Sequence, residues 1–562
     1  MGYSIGVDYG TESGRIVLLD LSTGEEVAVC AVPYKHAVID KRLPDDFRDL
    51  PADWALQHPE DYLQVLRTGI PAVLSDSGVS GALVVGLGID FTSCTVLPTL
   101  QDGTPLCMLD EFRNRPHAWP KLWKHHSAQR FADRMNEVAQ NRQEVFLSRY
   151  GGRISAEWYF PKLLEIFDED RAVYDASEAF VEATDWVVWQ LTGSLRRNSC
   201  TAGYKALRAD DGSFPDSSYF KDVYPEFSYP EQLIGKDFYP VGTKAGMLNE
   251  HWAKLIGLTT NVAVAVGNVD AHVSMAGAGI EHPGALVMVI GTSICHLTIS
   301  SVQAFVKGMT GVVFDGVLPG YYGYEAGQAA VGDMLAWFVR EAVPATYHER
   351  AQLTGRSVYE VLEEDAARLK PGETGLTALD WWNGNRSVLG DANLTGAIFG
   401  LDLATKAHEI YRALLESIAF GTRRILENFE AKSIHFDELV ACGGLSYKSP
   451  LLMQLYADVC GLPVTVRSSK EVPARGAALF GAVAAGSLNG GFDRIEDAIH
   501  ALAPHNANRY QPTVAASLHY KKQYQIYHDL YEFLGQVRVD LLHRLKQYRQ
   551  TVKNDGGVND HA

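Results

Sequence analysis

Residues Ile5–Arg15, IGVDYGTESGR, carry the question that decides the fold, and the chain then runs on as IVLLDL. An apolar run ends in Asp8, turns through Gly10 and Thr11, and resumes as a second apolar run. A two-residue hairpin needs no more than Asn-Gly or Asp-Gly at its tip. Here Asp8, Thr11 and Ser13 cluster between two strands that both read as core. Two readings are open on these residues alone: a tight turn whose side chains cap their own backbone, or a site for an anion or a metal.

Further out, EEVAVCAVPY completes a meander over residues 3–35, and ALVVGLGIDF (82–91) is a continuous apolar strand of the fully buried kind. Residues 118–195 are helical in character, and DWVVWQLTG ends at the helix stop Gly193. Near residue 283 the opening design returns: GALVMVIGTSICHLTIS is again strand, Gly-Thr-x-polar turn, strand. Two such hairpins some 280 residues apart predict a duplicated domain. The first carries Asp8 before its Gly-Thr and the second carries Ile290, so the copies divide labour. Ile410, Leu414, Ile418 and Ile425 keep helical spacing. Gly443-Gly444 follows another apolar strand and opens a helix at Pro450, with Ser449 as its cap and Gly461 as its stop. Tyr520, Tyr524, Tyr527, Tyr531, Leu534, Leu541 and Leu545 form one helical stripe suited to docking, and the tail NDGGVNDHA reads as disordered.

A chain of 562 residues holds several domains or two large ones. Its net charge of -18 argues against nucleic acid or an anionic membrane as main partner, yet helix ends and backbone N–H groups still bind phosphates in an acidic protein. The seven cysteines show no C-x-x-C pair and read as buried thiols of a reducing compartment. No apolar run approaches a membrane span and no basic leader precedes the first strand, so a cytoplasmic protein is expected.

Chemistry concentrates in a few stretches. VAVAVGNVDAHVSMAGAG (262–279) runs an apolar strand into Asp270 and His272 ahead of a small-residue helix. A carboxylate at the end of a buried strand is costly unless paired or used, and α/β folds bind ligands at such ends. Asp270 is therefore a candidate general base, the bland alternative being an N-cap. Lys205 in TAGYKALR and Glu325 in GYEAGQAAVGD are ligand candidates or surface ion-pair residues. EVPARGAALFGAVAAG (471–486) is a small-residue helix that packs closely or lies beside a flat ligand. His125-His126 reads as surface rather than metal, and there is no Walker A loop and no zinc spacing.

In this order, DYGTESGR, GTS, ACGG and GAALFGA resemble the FGGY carbohydrate kinases of the actin/hexokinase-like ATPase superfamily, over roughly residues 3–510. AGYKAL, VGNVDAH, VIGTSICH, YEAGQAAVGD, DWWNGNR and LWKHH look like segments of the branch that phosphorylates L-ribulose. Where that branch commonly has W-K-D-H, this chain has Trp123-Lys124-His125-His126. The resemblance implies an α/β protein of two duplicated ribonuclease-H-like domains around a cleft: an N-terminal domain over 1–282, a C-terminal nucleotide domain over 283–510, and a C-terminal helix with a tail over 511–562. It implies ATP and Mg²⁺ as cofactors and L-ribulose as the sugar, in L-arabinose catabolism, and it allows a homo-oligomer. Asp8 would act on magnesium, Arg15 would support the loop or the transferring phosphoryl, and Gly10 and Thr11 would approach the γ-phosphate. Gly291, Thr292 and Ser293 would hold the other phosphates. Gly443, Gly444 and the helix from Arg475 would flank the adenosine. Asp270 would take the sugar proton, and Lys205 and Glu325 would bind the sugar with Cys94 nearby. A kinase of another ketose or polyol, such as xylulose or glycerol, remains open. So does an ATP-driven switch, although a switch has no use for a sugar base.

Overall fold

Each half of the chain folds around a seven-stranded mixed sheet, and the two sheets share one strand plan. The computed structural model describes residues 2–44, 48–504 and 507–556. The first sheet holds β1 (Tyr3–Tyr9), β2 (Ser13–Asp20), β3 (Glu26–Pro33), β4 (Val84–Phe91), β5 (Lys244–Met247), β6 (Ala263–Ala265) and β7 (Asn268–Val269). Its order is β3-β2-β1-β4-β6-β5, with β7 also on β4. The second holds β8 (Ala285–Ile290), β9 (Ile294–Ser300), β10 (Gly311–Phe314), β11 (Tyr322–Gln328), β12 (Glu438–Cys442), β13 (Val464–Arg467) and β14 (Ala507–Tyr510). Its order is β10-β11-β9-β8-β12-β13-β14. In both sheets an antiparallel meander is followed by two parallel strands, β4 and β6 in one and β12 and β13 in the other. The duplication expected from the two hairpins is therefore present as topology: two ribonuclease-H-like domains of the actin/hexokinase-like kind.

Four helices set the positions of the residues in the cleft: α1 (Tyr159–Glu169), α2 (Ser199–Lys205), α3 (Asp270–Gly277) and α4 (Val472–Ala485). α4 comes from the second half but lies on the first sheet. Strand alternation puts Ser4, Gly6 and Asp8 of β1 on one face, and the matching face of β4 carries Gly86, Gly88 and Asp90. That face receives α4 at backbone contact. A Cβ on Gly6 would stand 1.7 Å from the Ala474 carbonyl oxygen, and one on Gly88 would stand 1.8 Å from that of Ala477. Ser4 Oγ donates to the Ala478 carbonyl at 2.6 Å. On its far side α4 meets α3 equally closely, since a Cβ on Gly476 would lie 2.0 Å from the Val273 oxygen. The small-residue helix thus packs at backbone contact on both sides. Arg475 is buried and tied to the carbonyls of Gly24 and Leu502 and to Glu26, so it does not reach out toward a nucleotide.

Other local readings change in detail. Gly443-Gly444 does not open the helix at Pro450. It starts a separate turn, Gly444–Lys448, and only then does Ser449 cap Pro450–Cys460 by accepting from Leu452 N. Gly461 ends that helix at φ 71° as expected. Tyr520, Tyr524, Tyr527 and Tyr531 are all buried on their own domain, with Tyr520 donating to Glu416 and Tyr527 to Asp380. The stripe does not run on to Leu545, which is 64% exposed, because a π-helical turn at Phe533–Val537 changes the helical phase before the next helix, Val539–Gly556. That helix includes Asn554, Asp555 and Gly556 of the tail read as disordered, and residues 557–562 lie outside the described residues. No helix among the described residues is long and apolar enough to cross a membrane.

Candidate active site

The ends of β1, β4 and β7 converge on one point between the halves. Asp8 is buried, and its Oδ2 accepts from Arg15 Nη1 across the hairpin at 3.1 Å. Arg15 also lies 3.6 Å from Glu471, just ahead of α4. Burial pushes the Asp8 carboxyl upward, and Arg15 only partly counters this. Asp270 is the first residue of α3. It is no N-cap for the helix: its Oδ1 accepts from the adjacent Ala271 N at 2.7 Å, and the capping position is Val269. Burial, then the Asp8 charge, raise Asp270 to about 7. A carboxylate poised there suits proton abstraction near neutral pH.

A third carboxylate, Asp90, stands inside the apolar strand ALVVGLGIDF, where the residues around it hide its charge from a reading by hydropathy. It pairs in register with Asp8 on one side and with Asn268 on the other, and it is fully buried. The sequence does hold a signal for it. Gly6-Val7-Asp8-Tyr9 and Gly88-Ile89-Asp90-Phe91 are the same pattern on adjacent strands, paired residue for residue, and the Tyr9 and Phe91 rings stack at 4.8 Å.

Lys205, at the end of α2, and Glu325, in the middle of β11, are not surface ion-pair residues. Both are buried, and they meet across the halves at 3.1 Å. Glu325 also meets His272 Nε2 at 3.2 Å, and His272 Nδ1 meets the Cys200 thiol at 3.1 Å. Burial works against the Glu325 anion, but Lys205 and His272 outweigh it and hold the carboxyl well below the usual range. Arg386 of DWWNGNR lies against Gly327 of β11 and 3.7 Å from Glu157, which meets His126 at 3.0 Å. Burial would raise Glu157, but His126 and Arg386 bring it down to about 2. Glu157, His272 and Arg386 carry no sequence pattern that ties them to Lys205; only the fold brings them together.

Cys94 is buried, with Glu182 beside its thiol. Its carbonyl accepts from Lys162 Nζ of α1 at 2.6 Å, and the same ammonium donates to the Leu122 carbonyl at 2.9 Å. Trp123, next along, donates to Thr11 Oγ1 at 3.1 Å. Lys162 thus ties the Cys94 loop to the segment that braces the first hairpin. His125, expected at the surface, is fully buried there. Its Nδ1 accepts from Ala55 N, so its Nε2–H donates to Glu165 at 2.9 Å, beside Lys121 at 2.8 Å from the same oxygen. Burial, then Lys121, push His125 down to about 3, so it is neutral. Lys162→Met leaves the Cys94 carbonyl buried without a donor and takes one of two donors from the Leu122 carbonyl, which keeps His125 N at 3.0 Å. It should destabilise the fold by about 3 kcal/mol and raise the sugar KM more than the ATP KM, as measured by thermal melting and steady-state kinetics.

The second hairpin tip is exposed at Gly291 and Thr292, whereas the first is half-buried at Gly10, Thr11 and Ser13. Gly10 N donates to Ser13 O at 3.0 Å, and Gly291 N donates to Ser293 O at 2.9 Å. Thr292 O accepts from Val331 N at 2.8 Å, which fixes the second tip at the start of the helix Gly332–Glu341. Gly443 needs its φ of 90°, and a Cβ there would stand 2.5 Å from Ile290 O, whereas Gly444 faces open space. Among the described residues no three His, Cys, Asp or Glu side chains converge closely enough to enclose a metal unaided.

Duplicated ribonuclease-H-like halves, a Gly-Thr hairpin in each, and a raised carboxylate beside a buried Lys–Glu pair define a phosphotransferase acting on a small hydroxylated substrate. Residues 3–277 match the N-terminal domain and residues 286–485 the C-terminal domain of the FGGY family of carbohydrate kinases, and the chain belongs to that family. It is 50% identical over 552 residues to a ribulokinase of Anoxybacillus flavithermus, covering 98% of each chain. The figures are the same, 50% with 98% of each chain covered, for a ribulokinase of Geobacillus thermodenitrificans. Among solved structures, a ligand-bound xylulose kinase from Lactobacillus acidophilus shares the fold with a TM-score of 0.77 at 18% identity, covering 95% of this chain and 99% of that one.

Proposed function

We propose that this chain transfers the γ-phosphoryl group of ATP to the terminal hydroxyl of L-ribulose, giving L-ribulose 5-phosphate and ADP, as a cytoplasmic step of L-arabinose catabolism. The observation that carries the substrate is the Lys205–Glu325 pair, buried beside Asp270, in a chain half identical along its length to ribulokinases. The pair offers a donor and an acceptor to sugar oxygens in a site shielded from water, with Cys94 at its edge. Asp270 accepts the proton of the attacking hydroxyl. The oxygen so freed attacks the γ-phosphorus, and the bond to the β-phosphate oxygen breaks toward ADP. The backbone N–H groups around Gly10 and Thr11 approach the γ-phosphate. Gly291, Thr292 and Ser293 hold the other phosphates, and Gly443 and Gly444 line the nucleoside. Arg15 steadies Asp8 and the charge of the transferring group.

The residues present fit a magnesium ion. Asp90 keeps both carboxylate oxygens buried without a hydrogen-bond partner, and Mg²⁺ is commonly held by one or two carboxylates, water and substrate phosphates. Asp8 would hold it through water. When bound, the ion neutralises charge on the phosphates during transfer. The assigned domains are 1–282 for sugar and base, 283–510 for nucleotide, and 511–562 as a C-terminal extension.

The test is ADP release over L-ribulose, D-xylulose and glycerol. L-Ribulose should be preferred. Glycerol, which leaves the buried polar groups unpaired, should be poorer by up to roughly 10⁴-fold in kcat/KM. Glu325→Gln should raise the KM for L-ribulose at least about tenfold, in line with losing a charged hydrogen bond, and leave the KM for ATP nearly unchanged. Preference for glycerol or xylulose would reassign the substrate within the same family.

A further inference from the structure

β4 is a second copy of the acid-bearing strand, laid beside the first in register. Gly6 faces Gly88, Asp8 faces Asp90 and Tyr9 faces Phe91, all in a parallel ladder. In such a ladder paired residues point to the same face, on strands about 4.8 Å apart. Asp90 therefore stands next to Asp8, on the face where both strands end at the cleft. The two differ in their partners. Asp8 has Arg15. Asp90 has none: both of its oxygens are buried and neither accepts a hydrogen bond, although Asn268 pairs with it in register on the far side.

A fully buried carboxylate with four empty lone-pair sites is expensive. Its immediate neighbours, Asp8 and Asp270, are also carboxylates, the Asp8 carboxyl lies within hydrogen-bond reach, and the one positive charge that acts on it, Arg15, is already paired with Asp8. Among the described residues no backbone N–H or side-chain donor hydrogen-bonds to it, and the Asn268 Nδ2 amide on the neighbouring strand is itself buried without an acceptor. What such a side chain lacks is a cation between it and Asp8. A pair of carboxylates does not enclose an ion, in keeping with the absence of a three-ligand cluster among the described residues. It does match the one-or-two-carboxylate holding of magnesium, the remaining positions going to phosphate oxygens and water.

We propose that Asp90 is a second carboxylate for the divalent cation, so that Asp8 and Asp90, supplied by two copies of one Gly-x-Asp strand end, hold the ion together. This rests on the reading that a divalent cation accompanies the nucleotide. It makes β4 part of the phosphate machinery, although the hairpins at Gly10 and Gly291 are its only parts with Gly-Thr tips. It also explains why an apolar strand tolerates an acid: the charge is matched once nucleotide and ion are in place.

The experiment titrates Mn²⁺, read by electron paramagnetic resonance, into the full-length protein saturated with a non-hydrolysable ATP analogue. Asp90→Asn keeps the size and polarity of the side chain. It should weaken Mn²⁺ binding at least about tenfold, while binding of the analogue without Mn²⁺ stays within twofold of wild type. In Mn²⁺-free buffer the Asn variant should melt no lower than wild type, because the like charge beside Asp8 is gone. Should it fail to fold, Asp90→Ser is carried through the same titration. Mn²⁺ affinity within twofold of wild type in a folded variant would overturn the proposal and leave Asp90 sharing a proton with Asp8 instead. A wild-type protein that bound no Mn²⁺ alongside the analogue would defeat the broader reading of a metal-assisted transfer, which is a different failure.

Discussion

Asp270→Asn should fold, bind both substrates, and turn over roughly 10²–10⁴-fold more slowly, the range for a lost general base. The amide keeps the hydrogen bond that Oδ1 accepts from Ala271 N, so α3 retains its first turn and the loss falls on chemistry. The pH profile adds a second readout. Burial and the charge of Asp8 raise Asp270 to about 7, and a base works only when deprotonated. The rate of the wild-type enzyme should therefore climb with pH through that region and fall away below it, whereas the Asn variant should lack this limb. A countercharge on Asp8 removes one cause of the shift, so higher Mg²⁺ should move the limb to lower pH. Near-normal turnover by the Asn variant would remove Asp270 from the base role.

The second large effect is structural. Gly6→Ala should leave little soluble folded protein, because its one added carbon would lie 1.7 Å from the Ala474 carbonyl oxygen and 2.6 Å from Ala478 N. Those are backbone atoms of α4 and cannot rotate aside. The helix would have to lift off the first sheet, yet it is held equally closely on its other side by α3. Overpacking commonly costs 1–3 kcal/mol where side chains can adjust. With backbone on both sides the cost should exceed about 4 kcal/mol, an exceptional value for one substitution. Gly444→Ala is the control: a Cβ there meets nothing within 4 Å, so its melting temperature should match wild type. A Gly6→Ala protein that melted like wild type would show that α4 can shift without consequence.

Much of the architecture is legible in the residues. Period-two apolar runs, Gly-Thr tips and the return of the hairpin near residue 285 express local preferences that neighbours in sequence settle among themselves. The stop at Gly193 and the cap at Ser449 belong to the same class. Asp270 is legible because an acid at the end of an apolar strand is costly wherever the chain goes. The same reasoning applies to Asp90 but is masked by the apolar residues around it.

What the tertiary structure alone decided was which groups meet. Lys205 and Glu325 are 120 residues apart and could each have been solvated; they pair because α2 and β11 come from different halves that close on each other. His125 reads as polar surface until α1 brings Glu165 onto it, beside Lys121. The small-residue helix reads as packing well before it reads as a ligand wall, and what it packs on is set by the glycines of β1 and β4, which let its backbone rest on theirs. Sequence carries the periodicity and the cost of each residue within its own segment. The partners that offset those costs are set by long-range packing, where one residue's burial is another residue's neighbour.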